Sequence, residues 1–176
     1  MYQFLLSSSE HLPEAEAFGL PLVHLDFILD ETGRLRFPSL PAACRGGLML
    51  IGANTLPEAG RTADRTAQAI LSLCRQRDFR GVVLDLELSP TPWLSRLIRQ
   101  LEQGLNASGR RLFLPERYGR FSSSARLYFS SALSGGSFVR RLEQMTRQYD
   151  PSRLFCRCGD CRQSFLSLPQ TDRESL

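Results

Sequence analysis

The chain has 176 residues, 42% of them hydrophobic, and a formal charge of +4. This length and apolar content predict one domain around a single core, and they exclude a disordered or fibrous protein. All 22 basic residues are arginine, and they alternate with acidic residues along the chain. Because phosphate binding needs clustered cations, nucleic acid is not the expected partner.

Cysteine usage and the N-terminal residues indicate the compartment. Five cysteines, an odd number in a chain of this size, predict a reducing environment without a disulfide framework. The apolar stretch at residues 4–6 is short and has no basic segment before it, so no signal peptide or membrane span is expected. The sequence therefore predicts a cytoplasmic protein with no membrane partner.

Strand-length apolar runs alternate with segments of helical periodicity. The periodicity predicts helices over residues 62–77, 92–106 and 137–149, with Ser89 or Thr91 as the cap of the second. Strands are predicted at residues 2–6, 22–29, 48–52, 81–87, 111–114 and 126–130. Such alternation predicts an α/β fold with a parallel sheet and flanking helices. Residues 1–169 are expected to form this domain, and residues 170–176 a frayed polar tail.

Two acidic residues stand near the end of the fourth predicted strand. Alternation places Asp85 and Glu87 on one face with Val83, whereas the other face is aliphatic: Val82, Leu84 and Leu86. The aliphatic face should pack under helices, which directs both carboxylates to the opposite side, where α/β barrels hold their catalytic groups. Neighbouring carboxylates acquire separated proton affinities, as an acid and its ionised partner require. The alternative is a solvated or arginine-bound pair.

Residues 79–87 resemble the fourth-strand motif D-G-x-D-x-D-x-E of family 18 glycoside hydrolases, the chitinase-like barrels. The glycine and the last two acids match, whereas the first two acids are Arg80 and Val83. Residues 23–35 resemble the second strand of that family, and residues 48–54 the third, with Leu50 in place of a serine. The resemblance implies a TIM-barrel-like fold, and the short chain implies an incomplete one of about six or seven strands.

The resemblance also implies an activity. Its substrate would be a β-linked N-acetylhexosamine glycan of the chitin or peptidoglycan type, with no cofactor required. Glu87 would protonate the leaving oxygen, while Asp85 would steady the acetamido group of the substrate, which attacks the anomeric carbon. Tyr128, Asp26 and Phe27 would contact the substrate.

Three departures from the family pattern leave two alternatives open. Leu50, Arg80 and Val83 replace groups that would support the acidic pair, and loss of supporting groups lowers catalytic rates steeply. The expectation is therefore either a divergent glycosidase or a sugar-binding barrel with reduced or no activity.

A third alternative comes from the cysteines near the C-terminus. Cys156, Cys158 and Cys161 form a C-x-C-x-x-C run whose thiolates could share a zinc ion, although a fourth ligand is not evident in the sequence. This reading predicts a non-catalytic metal-binding interaction protein or a nucleic-acid-associated protein. Three free thiols are the simpler interpretation. An incomplete barrel also exposes sheet edges, which a second copy of the chain could cover.

Overall fold

The computed structural model describes residues 5–7, 22–37, 47–53, 55, 63–86, 88–130, 135–157 and 166–167. These residues form nine strands: β1 (Leu5–Ser7), β2 (Leu22–Leu29), β3 (Leu35–Arg36), β4 (Leu48–Ala53), β5 (Gly81–Leu86), β6 (Arg111–Pro115), β7 (Arg126–Ser130), β8 (Leu154–Arg157) and β9 (Leu166–Ser167). They also form three α-helices: α1 (Ala63–Gln76), α2 (Pro92–Ala107) and α3 (Gly135–Gln148). Short 3-10 helices span Glu116–Phe121 and Pro151–Arg153.

All nine strands belong to one sheet, in the order β1-β2-β4-β5-β6-β7-β8-β9, with β3 beside β2. Six parallel pairings join seven of the described strands, β1, β2, β4, β5, β6, β7 and β8, whereas β3 and β9 are antiparallel additions. Right-handed crossovers that always advance in one direction place their helices on one face of the sheet. The predicted α/β class with a parallel sheet and flanking helices is confirmed. Within the described residues the sheet stays open, because no pairing joins β1 to β8 or β9.

The predicted helices lie where the periodicity indicated, each boundary within two residues of the observed one. Strands β3, β8 and β9 were not predicted, because runs of two to four residues carry too little alternation to be recognised. His24 is buried edge-on against Phe79, and Trp93 packs half-buried against the core.

The main core lies between the sheet and α1 and α2. The face of β5 predicted to be aliphatic supplies fully buried residues to it: Val82, Leu84 and Leu86. Helix α2 contributes five more at helical spacing: Leu94, Leu97, Ile98, Leu101 and Leu105. Each fully buried leucine contributes about 1.5–3 kcal/mol to the free energy of unfolding. This packing fixes which face of β5 points away from the helices.

Helix α2 is held at its start and along its length. Thr91, one of the two caps predicted from the sequence, caps it, because its side chain accepts a hydrogen bond from the Leu94 amide at 3.1 Å. The Arg96 guanidinium donates to both carboxylate oxygens of Asp64 at 2.9 and 2.7 Å, which joins α2 to α1. The helix that follows β5 is thereby fixed against its neighbour.

Glu102 connects α2 to the segment that leads into β7. Its Oε1 accepts hydrogen bonds from the Ser122 hydroxyl at 2.6 Å, the Ser124 amide at 2.7 Å and the Ser124 hydroxyl at 2.6 Å. Partial burial alone would raise the pKa of Glu102, but these hydrogen bonds outweigh it and hold the pKa below its ordinary value. The start of β7 is therefore tied to the helix layer by a carboxylate.

Gly81 marks the closest approach of β5 to β6. A Cβ atom at this position would lie 2.2 Å from the carbonyl oxygen of Arg111, far inside contact distance. Because the obstructing atom belongs to the backbone of the paired strand, only a shift of that strand could relieve the clash.

We expect Gly81→Ala to lower the free energy of unfolding by about 1–3 kcal/mol, the usual cost of overpacking. The matched control is Gly52→Ala on β4, where a Cβ would meet no described atom within 4 Å. Urea unfolding followed by circular dichroism measures both variants. Equal midpoints for the two variants would contradict the close approach.

Glu102→Gln should change how stability depends on pH. A carboxylate whose pKa is lowered by folding stabilises the protein above its unfolded pKa, about 4.3, and this contribution is lost as pH falls through the folded pKa. We expect the variant to be less stable by about 1 kcal/mol at pH 7, given solvent screening of a half-exposed group, and this difference to shrink as pH falls toward 3. Urea unfolding from pH 7 to pH 3 measures this, with Glu143→Gln on α3 as control.

Candidate functional site

The face of the sheet opposite the helices carries a row of residues near the carboxyl ends of the strands. Ile28, Gly52 and Asp85 are register partners on β2, β4 and β5. Tyr128 on β7 belongs to the same face and pairs with Pro115 of β6. We call this side the site face, and its residues Ile28, Gly52, Asp85 and Tyr128 form the candidate site.

Nearer the amino ends of the strands, the site face is apolar. The residues of this face form a second buried cluster: Val23, Leu48, Leu50, Val83, Phe113 and Tyr128. Leu50 and Val83 are register partners, and Val83 pairs in turn with Phe113. The Asp85 carboxylate therefore stands at the boundary of an apolar floor, half-buried.

Asp85 and Tyr128 are in direct contact. The Tyr128 hydroxyl donates a hydrogen bond to Oδ1 of Asp85 at 2.7 Å and also lies 3.2 Å from the carbonyl oxygen of Leu84. The shorter distance and the charge of the acceptor assign the single hydroxyl proton to the carboxylate. Because β6 lies between β5 and β7, the buried ring of Tyr128 reaches across β6 to Asp85. The direction of the Asp85 carboxylate is therefore set by a residue of β7.

Gly52 and Ile28 lie beside Asp85 on the neighbouring strands. Among the described residues, no atom lies within 4 Å of the position that a Cβ of Gly52 would occupy. Beyond Gly52, Ile28 is 52% exposed and adds an aliphatic surface.

Two residues that follow β6 hold the backbone beyond Asp85. The fully buried Tyr118 places its hydroxyl 2.8 Å from the Leu86 carbonyl oxygen and accepts a hydrogen bond from the Leu88 amide at 3.2 Å. That hydroxyl also contacts the Leu88 carbonyl oxygen, and the Arg117 guanidinium donates to the Leu86 carbonyl. Glu87 stands between these leucines in the sequence, but its structure lies outside the described residues.

Of the predicted site residues, the structure brings Asp85 and Tyr128 together. Phe27 lies on the other face: its fully buried ring packs edge-on to Phe79, with centroids 5.7 Å apart, in the main core. The cause is an irregularity in β2, whose register with β4 shifts between His24 and Phe27, so strict alternation no longer applies. Phe27 therefore does not border Asp85. The side chain of Asp26 lies outside the described residues.

Tyr118 and Arg117 were not predicted as site residues. Their contacts with β5 span 31 and 32 residues of chain and follow no periodic pattern. The one available signal was their position, since polar and aromatic residues that directly follow a strand of a parallel sheet lie at its carboxyl edge.

The described residues include only part of the predicted metal cluster. The backbone of Cys156 lies in β8 and pairs with Phe129, whereas Cys158 and Cys161 lie outside the described residues. The described residues contain no group of three histidine, cysteine or acidic side chains that could hold a metal. Zinc binding by the C-x-C-x-x-C run therefore stays a prediction. Cys74 is a free thiol whose burial raises its pKa to about 11, which leaves it un-ionised and weakly reactive.

None of the helices that the structure describes combines the length and apolar character needed to cross a bilayer. Comparisons with protein-family models, with curated proteins and with solved structures each find no match.

Proposed function

We propose that this chain is a divergent, shortened chitinase-like barrel whose site face binds a β-linked N-acetylhexosamine glycan. The observation that carries the proposal is the 2.7 Å hydrogen bond between Tyr128 and Asp85 at the carboxyl end of β5. The strand order supports the barrel assignment, because parallel strands that neighbour one another in chain order, with helices on one face, are typical of α/β barrels.

The chemistry of the site suits an acetamido group. The Asp85 carboxylate is held in one direction by Tyr128 and has the open space above Gly52 beside it. An oriented carboxylate can accept a hydrogen bond from the amide N–H of the sugar, while the methyl groups of Ile28 offer apolar contact. A preorganised acceptor needs no rearrangement when ligand arrives, which favours affinity.

Hydrolysis at this site would use Glu87 and Asp85. Glu87 would transfer its proton to the glycosidic oxygen as the bond from that oxygen to the anomeric carbon breaks. The acetamido oxygen of the substrate would form the new bond to the anomeric carbon, and Asp85 would stabilise the positive charge that develops on the acetamido group. Water would then open this intermediate and return a proton to Glu87.

The apolar floor favours binding over turnover. Leu50 and Val83 are buried directly beside the site, in places where the resembled family carries a hydroxyl and a carboxyl group. Neither side chain can exchange a proton with Asp85 or support its charge. We therefore propose that glycan binding is the principal function and that hydrolysis, if it occurs, is slow.

Tyr128→Phe should weaken glycan binding. The variant keeps the ring in the floor but removes the hydroxyl that orients Asp85, a hydrogen bond to a charged group worth about 1.5–3 kcal/mol, so affinity for chitotetraose should fall about tenfold or more. Isothermal titration calorimetry measures it. Tyr149→Phe is the matched control, since Tyr149 packs against Gly119 instead of the site face. A native chain that binds no N-acetylhexosamine oligomer would contradict the proposal.

Glu87→Gln and Asp85→Asn separate hydrolysis from binding. If the native chain cleaves chitotetraose, each variant should lose activity by about 100-fold or more, because a general acid or its charge partner is removed. Glu87→Gln should retain affinity within about threefold, since the amide preserves the size of the side chain. Chromatography of the products measures cleavage. Full activity in Glu87→Gln would exclude the assigned acid, whereas binding without cleavage in the native chain would identify a sugar-binding protein.

A further inference from the structure

We infer that Tyr118 and Arg117 are positioning residues of the candidate site, which fix the carboxyl end of β5 without touching a ligand themselves. For the ligand, this inference rests on the proposed function. For the backbone geometry, it rests only on the contacts of Tyr118 and Arg117.

The need for such residues arises from the way β5 is paired. Its pairing with β4 continues to Leu86, but its pairing with β6 is described only from Gly81 to Val83. Beyond Val83 the peptide groups of β5 that point toward β6 need other partners, because an unpaired buried peptide group is costly. The site residue Asp85 lies in this stretch.

Two tyrosine hydroxyls lie beside these peptide groups. The Tyr128 hydroxyl, whose proton goes to Asp85, lies 3.2 Å from the Leu84 carbonyl oxygen on the site face. Tyr118 meets the Leu86 carbonyl and the Leu88 amide from the core side, so one hydroxyl bridges the residues before and after Glu87. The last peptides of β5 are thereby fixed by side chains in place of a strand ladder.

Arg117 reinforces the same carbonyl. Its guanidinium donates to Leu86 and lies over the Tyr118 ring, with 5.1 Å between Cζ and the ring centroid. Unlike Tyr118, Arg117 is exposed, so solvent can replace part of its contribution. Tyr118 is therefore expected to have the larger effect.

The consequence for the site is geometric. Asp85 lies next to Leu86, whose carbonyl contacts the Tyr118 hydroxyl, and small displacements of such a site group reduce binding and catalysis strongly. A tyrosine that merely fills the core would influence the site only through the stability of the whole domain. If removing the hydroxyl affects the end of β5 more than the rest of the domain, Tyr118 is a positioning residue. If it affects the whole domain equally, Tyr118 only fills the core.

The experiment compares Tyr118→Phe with Tyr149→Phe, which removes a hydroxyl near the same 3-10 helix but away from β5. Amide hydrogen exchange is followed by NMR at Leu88 and, as an internal reference, at Val83 in the middle of β5. We expect exchange at Leu88 to accelerate about tenfold more than at Val83 in Tyr118→Phe, because its acceptor is lost. Tyr149→Phe should leave that ratio unchanged. Should Tyr118→Phe not fold, Arg117→Gln is measured in the same way, with a smaller expected change of about threefold.

Chitotetraose affinity is measured on the same proteins. We expect Tyr118→Phe to bind chitotetraose about tenfold more weakly, in addition to its faster amide exchange at Leu88. Tyr149→Phe should bind as the native chain does. Equal acceleration at Leu88 and Val83, or unchanged affinity in Tyr118→Phe, would overturn the inference. If the native chain binds no glycan, the proposed function fails, and the ratio of Leu88 to Val83 exchange still decides whether Tyr118 holds the end of β5.

Discussion

The end of the ladder between β5 and β6 at Val83 is the constraint on which the candidate site depends. Up to that residue the two strands are so close that Gly81 has no room for a side chain. After it, β5 remains paired only with β4 among the described contacts, and side chains contact its other edge. A continuous ladder would leave no need for these contacts. The end of the ladder is therefore what couples β5 to residues following β6 and within β7.

Burial on both faces keeps β5 in this position. The main core holds Leu84 and Leu86 on the helix side, and the second cluster holds Val83 on the other. Asp85 is the residue at which the second face changes from apolar to polar. Because its neighbours are fixed from both sides, the carboxylate keeps the direction that the Tyr128 hydroxyl gives it.

Much of this arrangement could be predicted from the sequence. Helical spacing located α1 to α3, and alternation assigned Leu84 and Asp85 to their correct faces, because both patterns follow from local geometry. Asp85 and Tyr128, which the family resemblance named as site residues, are in contact, and the activity that the resemblance implies stays a prediction. The face of Phe27 could not be predicted, since one extra residue in β2 reverses the alternation. The role of Tyr118 could not be predicted either, because a hydroxyl bound to distant peptides leaves no periodic trace.

The irregularity in β2 has a consequence for how the site face can vary. Before it, Val23 contributes to the apolar floor, and after it Ile28 faces the space beside Asp85. The two halves of β2 thus have independent phases, so the residue that borders Asp85 at the carboxyl end is uncoupled from the residues that anchor the strand at its amino end. A substitution at Ile28 can then change the surface beside Asp85 while the apolar floor remains unchanged.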